Sequence, residues 1–284
     1  MMTDLNKKIY SYYAINGRLR YYTLHDGDGL EDLIVSATLK ELTTFLKIKK
    51  GTFVEFGAAD VSDSHTGLKN YISVLLPQAK LGWGGLFIEG NGKLYEQAKE
   101  NISSLQDNNP NIFLLKRCVT LVSNLEKNEE NLDEILSRYE IFKSGIDIMS
   151  IDIDSYDYWI WAHLKNYQPN IVVIEAQGRL RKYKDIRLKK YSTKKKNPLN
   201  LGYASLNAIL RLGYFKGYDP VVISPSSVVF LKKSLNNNTY KPVDKDYNFS
   251  HSEEIKSRRC PTIMSEKDLK KTYKLSEARL NKPT

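Results

Sequence analysis

From Thr52 onward, short apolar runs alternate with longer amphipathic stretches, the pattern of βαβ units set side by side in a parallel sheet. The runs TFVEFGA, GLFIEG, NIFLLKRCV, IDIMSIDI and NIVVIEAQ predict five strands, and the stretches around 69–81, 93–105, 131–142 and 156–166 have the periodicity of crossover helices. Further on, SLNAILRLGYFKGY predicts another helix. PVVISPSSVVFLKK predicts two strands joined by the turn-forming Ser224, Pro225, Ser226 and Ser227, closing the sheet with an antiparallel pair.

Ahead of this pattern, Leu30, Leu33, Ile34, Leu39, Leu42 and Leu46 recur near helical spacing, as in an amphipathic helix or helix pair packed on a core. An aromatic, polar stretch with Tyr10, Tyr12, Tyr13, Tyr21 and Tyr22 precedes it, and the chain from Asn236 onward is polar, with a short helix predicted near 265–274. The expected fold is Rossmann-like α/β: a mostly parallel sheet with helices on both faces and an antiparallel C-terminal strand pair. The expected organisation is an N-terminal helical extension over 1–48, a cofactor-binding domain over 49–235 and a polar C-terminal extension over 236–284.

A chain of 284 residues with 41% hydrophobic content can bury one substantial core. Its two cysteines, Cys118 and Cys260, match neither a disulfide framework nor a zinc ligand set. No segment has the apolar run of a signal peptide or of a membrane span, so a cytoplasmic location is expected. The net charge of +10 is concentrated: between Arg179 and Lys196 stand ten Lys/Arg and one acid, Asp185. That distribution suggests a local anion site or a solvated loop more than a broad face tracking a duplex.

In such a sheet a ligand sits beyond the carboxyl ends of the strands, so the residues ending each strand carry the chemistry. Four of the five predicted strands end in acids: Glu55 with Gly57 and Ala58 after the first, Glu89 with Gly90 after the second, Asp152 and Asp154 after the fourth, and Glu175 after the fifth. An acid ending the second strand suits an unphosphorylated ribose, and no phosphate-cradling glycine loop or P-loop lysine is present. S-adenosylmethionine has a ribose, an adenine and an amino-acid tail without phosphate. In SIDIDSYDYW three carboxylates fall within six residues, which is costly unless a cation or donors compensate them. Ser155 and Asp157 also suit the first turn of the following helix. His65, in the loop after strand one, is a site candidate; His163 reads as packing or surface, and His251 lies in the polar tail.

The order FVEFGA, GGLFIEG, MSIDIDSYDYWIW, VVIEAQ, LGYASLNAILRLGYFKGY resembles the FkbM-type class I S-adenosylmethionine-dependent methyltransferases over about 52–235. The resemblance implies that Glu55 and Gly57 approach the methionine part of the cofactor, that Glu89 holds the ribose, and that Asp152 sits beside cofactor and acceptor with Asp154 following it. Ala58, Gly90 and Cys118 are assigned to the same cofactor crevice. The chain departs from the family pattern at Val61, in place of the first loop's second glycine, and at Ser155, in place of the glycine after the strand-four acids.

The expected activity is O-methylation of a small polar acceptor, a saccharide or a phosphorylated or nucleotide-activated sugar. Asp152, Asp154 or His65 would act as base, or Asp152, Asp154 and Glu175 would hold Mg2+ or a similar cation. Tyr203 and Ser205 are candidates for the acceptor pocket, Ser205 also for a helix cap. The alternative is an RNA methyltransferase using the basic 179–196 segment, although the Asn/Asp-Pro-Pro-Tyr-like motif used for base amino groups is absent. A third reading is a binding protein that keeps the fold without the reaction. A homo-oligomer is compatible with the sequence.

Overall fold

The seven principal strands are nearly continuous apolar runs because both faces of the sheet are covered. They are β1 (Thr52–Phe56), β2 (Gly84–Glu89), β3 (Ile112–Lys116), β4 (Ile148–Ile151), β5 (Ile171–Glu175), β6 (Tyr218–Ile223) and β7 (Ser227–Lys232). In this computed structural model the described residues are 8–15, 18–24, 30–62, 73–121, 123–153, 156–176, 186–187, 204–223, 227–240, 242 and 274–275, with 8–34, 186–187 and 274–275 described as backbone.

The order across the sheet is β3-β2-β1-β4-β5-β7-β6. Strands β1 to β5 pair in parallel, and β7 runs antiparallel to both β5 and β6. This is the mostly parallel Rossmann-like sheet with an antiparallel C-terminal pair expected of a class I methyltransferase fold. Successive crossovers run outward from β1 to β3, then return to β4 on the other side of β1. The β1/β4 boundary is therefore the topological switch point, where such sheets open a ligand crevice.

Alternation along the strands divides the core in two. In β5, Ile171 and Val173 face one cluster, which contains Val35, Leu39 and Leu42 of α1 (Leu30–Phe45), Leu76 and Ala79 of α2 (Leu76–Lys80), and Ala98 and Ile102 of α3 (Gly92–Asn108). Val172 and Ile174 face the other, built with α4 (Leu132–Ser137), α5 (Asp157–His163) and α6 (Leu206–Phe215). Each fully buried Phe, Leu or Ile contributes about 1.5–3 kcal/mol. Asn91 and Ser205 cap their helices: Asn91 Oδ1 accepts from the amides of Lys93 and Leu94, and Ser205 Oγ accepts from the Ala208 amide at 3.2 Å.

Several expectations change. Among the described residues of 1–48 there is the helix α1 and, ahead of it, an antiparallel hairpin of Lys8–Ile15 with Arg18–Leu24, whose Tyr- and Ile-rich composition favours strand. The helix expected over 69–81 is the short α2, where Pro77 in the first turn sets the start. Lys274, expected to end a helix, pairs with Arg187 in a two-residue antiparallel ladder. The rest of 179–196, the turn residues 224–226, Tyr203 and His251 lie outside the described residues.

The start of the C-terminal extension is built into the domain. Asn236, at the end of α7 (Lys233–Asn236), is buried; its Nδ2 donates to Asp219 Oδ2 at 2.9 Å and to the Tyr240 carbonyl at 2.8 Å, while its Oδ1 accepts from the Tyr240 amide at 2.8 Å. Tyr240 in turn meets Phe45 of α1 edge to face at 5.2 Å, and its hydroxyl donates to Glu41 at 3.4 Å. Among the described residues no helix is long and apolar enough to cross a membrane.

Candidate cofactor site

Strand register sets the site. Phe56 lies level with Ile88 of β2 and Ile151 of β4, Ile151 with Ile174, and Glu89 with Lys116. The next residue along each strand therefore forms one row at the carboxyl rim: Lys116, Glu89, Gly57, Asp152, Glu175. Glu55 lies two positions below, inside the sheet. Of the residues singled out in the sequence, Gly57, Ala58, Glu89, Gly90, Cys118, Asp152 and Glu175 fall at this edge, with Glu55 below it; Asp154 and His65 lie outside the described residues.

Gly57 turns the chain at φ +76, and a Cβ there would stand 1.4 Å from the Asp152 carbonyl oxygen. This close approach is to the β4 exit. The turn is held by the amides of Gly57 and Ala58, which both donate to the Ile88 carbonyl, and by the Asp152 amide, which donates to the Phe56 carbonyl at 3.2 Å. Downstream, Ala59 (φ 51) and Val61 (φ 48) take the left-handed conformation that glycine usually supplies. Val61, the departure from the family glycine, thus adopts a glycine-like backbone with a β-branched side chain, a conformation that persists only when its surroundings over-determine it.

Glu89 supplies one such restraint. Its Oε2 accepts from the Ala59 amide at 2.8 Å and its Oε1 from the Asn91 amide at 2.6 Å. Burial raises its pKa, opposed by these amides and that of Gly90. A carboxylate offers about four acceptor positions, so Glu89 is both oriented by main chain and able to receive a vicinal diol. Beside it, a Cβ on Gly90 would lie 2.9 Å from Cys118 Sγ, which brings those two predicted residues together; Cys118 is an exposed free thiol.

Glu55 is turned away from the rim. Only 5% exposed, it accepts from Ser73 Oγ at 2.6 Å, the Val74 amide at 2.8 Å and the Leu75 amide at 3.2 Å. Burial pushes its pKa up to about 7, against those hydrogen bonds and with a smaller contribution from the Asp152 charge. The carboxylate thus engages the chain entering α2.

At the other end of the row, carboxylate oxygens of Asp152, Asp157 and Glu175 lie within 4.8 Å of one another. Asp152 and Glu175 belong to the trio anticipated from the sequence; Asp157 joins them among the described residues, and Asp154 lies outside those. Asp157 stands in the first turn of α5, as expected, but is only 2% exposed, and its Oδ1 accepts from the Ile153 amide at 2.8 Å, folding the strand exit back on the helix start. The all-oxygen donor set suits a hard divalent cation. His163 stands apart from the acids: its Nδ1 meets the Trp159 carbonyl at 2.9 Å, and it lines a cavity of about 190 Å³ with Thr120, Asp133 and Lys165.

One ion-pair cluster escaped the sequence reading. Glu130, 4% exposed, takes Arg117 Nε at 3.1 Å on one oxygen and the Arg138 guanidinium on the other, while Arg117 also donates to Asn128. This pins the exit of β3 to the end of α4. Its residues are scattered over 22 positions without periodicity, so no pattern in the sequence announces it.

No family model and no curated protein matches the chain. Among solved structures, magnesium protoporphyrin IX methyltransferase from Synechocystis with bound S-adenosylmethionine is 8% identical, over 70% of this chain and 77% of that one, with a TM-score of 0.41. A putative O-methyltransferase from Klebsiella pneumoniae is 12% identical over 73% and 82%, with a TM-score of 0.42. The O-methyltransferase from Bacillus cereus in complex with S-adenosylhomocysteine is 13% identical over 74% and 84%, with a TM-score of 0.40. At these scores the likenesses say no more than the strand order already does.

Proposed function

We propose that the chain is an S-adenosylmethionine-dependent methyltransferase acting on a hydroxyl of a small polar acceptor, a saccharide or a phosphorylated or nucleotide-activated sugar. The observation that carries this reading is the row Glu89, Gly57, Asp152 at the switch point, with a main-chain-oriented carboxylate on β2 suited to a diol and a sequence that lacks a phosphate-cradling glycine loop. Glu89 would receive the ribose hydroxyls, with Gly90 and Cys118 beside the adenine and the 57–61 loop beside the amino-acid tail.

In the transfer, the acceptor oxygen attacks the methyl carbon in line, the carbon–sulfur bond breaks, and sulfur leaves as the neutral thioether of S-adenosylhomocysteine. The hydroxyl proton goes to a carboxylate at the β4 exit, Asp152 or Asp154, with His65 as the further base drawn from the sequence. Asp152, Asp157 and Glu175 fit a divalent cation, which when bound would make an acceptor hydroxyl more acidic. The basic 179–196 segment would meet the phosphate or carboxylate of the acceptor.

Calorimetry with S-adenosylmethionine and S-adenosylhomocysteine, with and without Mg2+, tests the reading. Micromolar binding that NAD and ATP do not displace is expected, and its absence in a folded protein would overturn it. RNA binding that falls with a slope of several units in log salt would instead favour the nucleic-acid alternative.

A further inference from the structure

Glu55, just below the rim, is a buried acid whose hydrogen-bonding groups all belong to a different piece of chain, the entry to α2. That entry is also bound to the cofactor loop. The Ser73 amide donates to the Ser62 carbonyl at 3.0 Å, Ser62 Oγ donates to Asp60 Oδ1 at 2.9 Å, and Asn101 of α3 donates to the Asp60 carbonyl at 2.7 Å. Ser73 Oγ further accepts from the Leu76 amide at 3.1 Å, so one hydroxyl joins the carboxylate to the first turn of α2.

The loop 57–62 is thus gripped at both ends. At its start Gly57 and Ala58 bond Ile88 and Ala59 bonds Glu89; at its end Ser62 bonds Ser73, which rests on Glu55. Between the two grips stand Ala59 and Val61 in left-handed backbone, at φ 51 and φ 48. Each such residue costs on the order of 1–3 kcal/mol and would relax if either grip opened.

We infer that Glu55 serves the proposed cofactor site as a positioning residue, acting through Ser73: its carboxylate holds 73–75 in place so that the loop 57–62 keeps the shape that receives the adenosyl ligand. The inference rests on the proposed function and assigns Glu55 a different part from direct contact with the methionine tail. Two buried carboxylates, Glu55 from below and Glu89 from the side, hold here the backbone shape that glycines allow in other nucleotide-binding loops.

The test is a double-mutant cycle on S-adenosylhomocysteine affinity, measured by calorimetry on the full chain for wild type, Glu55→Gln, Ser73→Ala and the pair. Each single variant should weaken binding by about tenfold and the pair by little more than either alone, because both remove one clasp. Ser73→Thr, which keeps the hydroxyl, should retain binding within about threefold of wild type. Multiplying effects in the pair, or a Ser73→Ala protein that binds as well as wild type, would overturn the inference.

Should Ser73→Ala not fold, Val61→Gly carries the test. Glycine takes the left-handed backbone unaided, so Val61→Gly should recover part of the affinity lost in Glu55→Gln, and no recovery would overturn the inference. A wild-type protein that binds neither S-adenosylmethionine nor S-adenosylhomocysteine would instead sink the proposed function itself.

Discussion

The carbonyl oxygen of Asp152 occupies the space where a side chain on Gly57 would begin, 1.4 Å from the ideal Cβ position. The two residues end the strands on either side of the switch point, so the absence of one methyl group sets how closely β1 and β4 exits approach. The clash is with backbone, which cannot swing aside as a side chain would.

Gly57→Ala should therefore cost well above the ~1 kcal/mol of an ordinary left-handed alanine, on the order of 3 kcal/mol or more. Urea denaturation reads this as a lower midpoint at unchanged slope. A variant with the wild-type midpoint would show that the two exits are not in contact.

At the proposed ribose position, Glu89→Gln keeps the shape but places an amide –NH2 where the Ala59 or the Asn91 amide now points. Affinity for S-adenosylhomocysteine should fall by about 1–3 kcal/mol, roughly fivefold to 150-fold, through a lost acceptor and a disturbed Ala59. Titration calorimetry measures it, and unchanged affinity would remove Glu89 from the ligand.

Glu55 should give stability a specific pH dependence. Its folded pKa of about 7 stands above the ordinary 4.5, so between those values the folded chain holds a proton that the unfolded chain has released. The associated stability is complete below the lower value and is lost as pH rises through the upper one, in total on the order of 3 kcal/mol. The urea midpoint of the wild type should thus decline between about pH 5 and about pH 8 more than that of Glu55→Gln. Equal declines would assign the effect to other groups.

Away from the rim, Glu130→Ala leaves Arg117 and Arg138 without their shared carboxylate. The expected loss is on the order of 2 kcal/mol, less than the ~3–5 kcal/mol of a fully buried pair because both guanidinium groups reach solvent. Thermal unfolding would show it; a midpoint shift within error would mean that the pair is electrostatically neutral to the fold.

The strands from β1 to β7 were legible because burial on both faces leaves long apolar runs, and their terminal acids were legible because ionised groups stand out against such runs. Strand register then aligned Glu89, Gly57, Asp152 and Glu175 without further help. What stayed hidden depends on single long-range hydrogen bonds. Nothing in the spacing of Glu55 and Ser73 shows that one accepts from the other, and the helix-start position of Asp157 does not show that its carboxylate also returns to the Ile153 amide. Gly57 was recognised as necessary, but its neighbour is a carbonyl from a strand ninety-odd residues away, which no local pattern encodes.

The bond between Tyr240 and Glu41 spans 199 positions. Every strand of the seven-stranded sheet lies between these two residues in sequence, so Tyr240 closes onto α1 across the whole of it. Cleavage between β7 and Tyr240 would consequently register as a loosened α1 before it reached the carboxyl rim of the sheet.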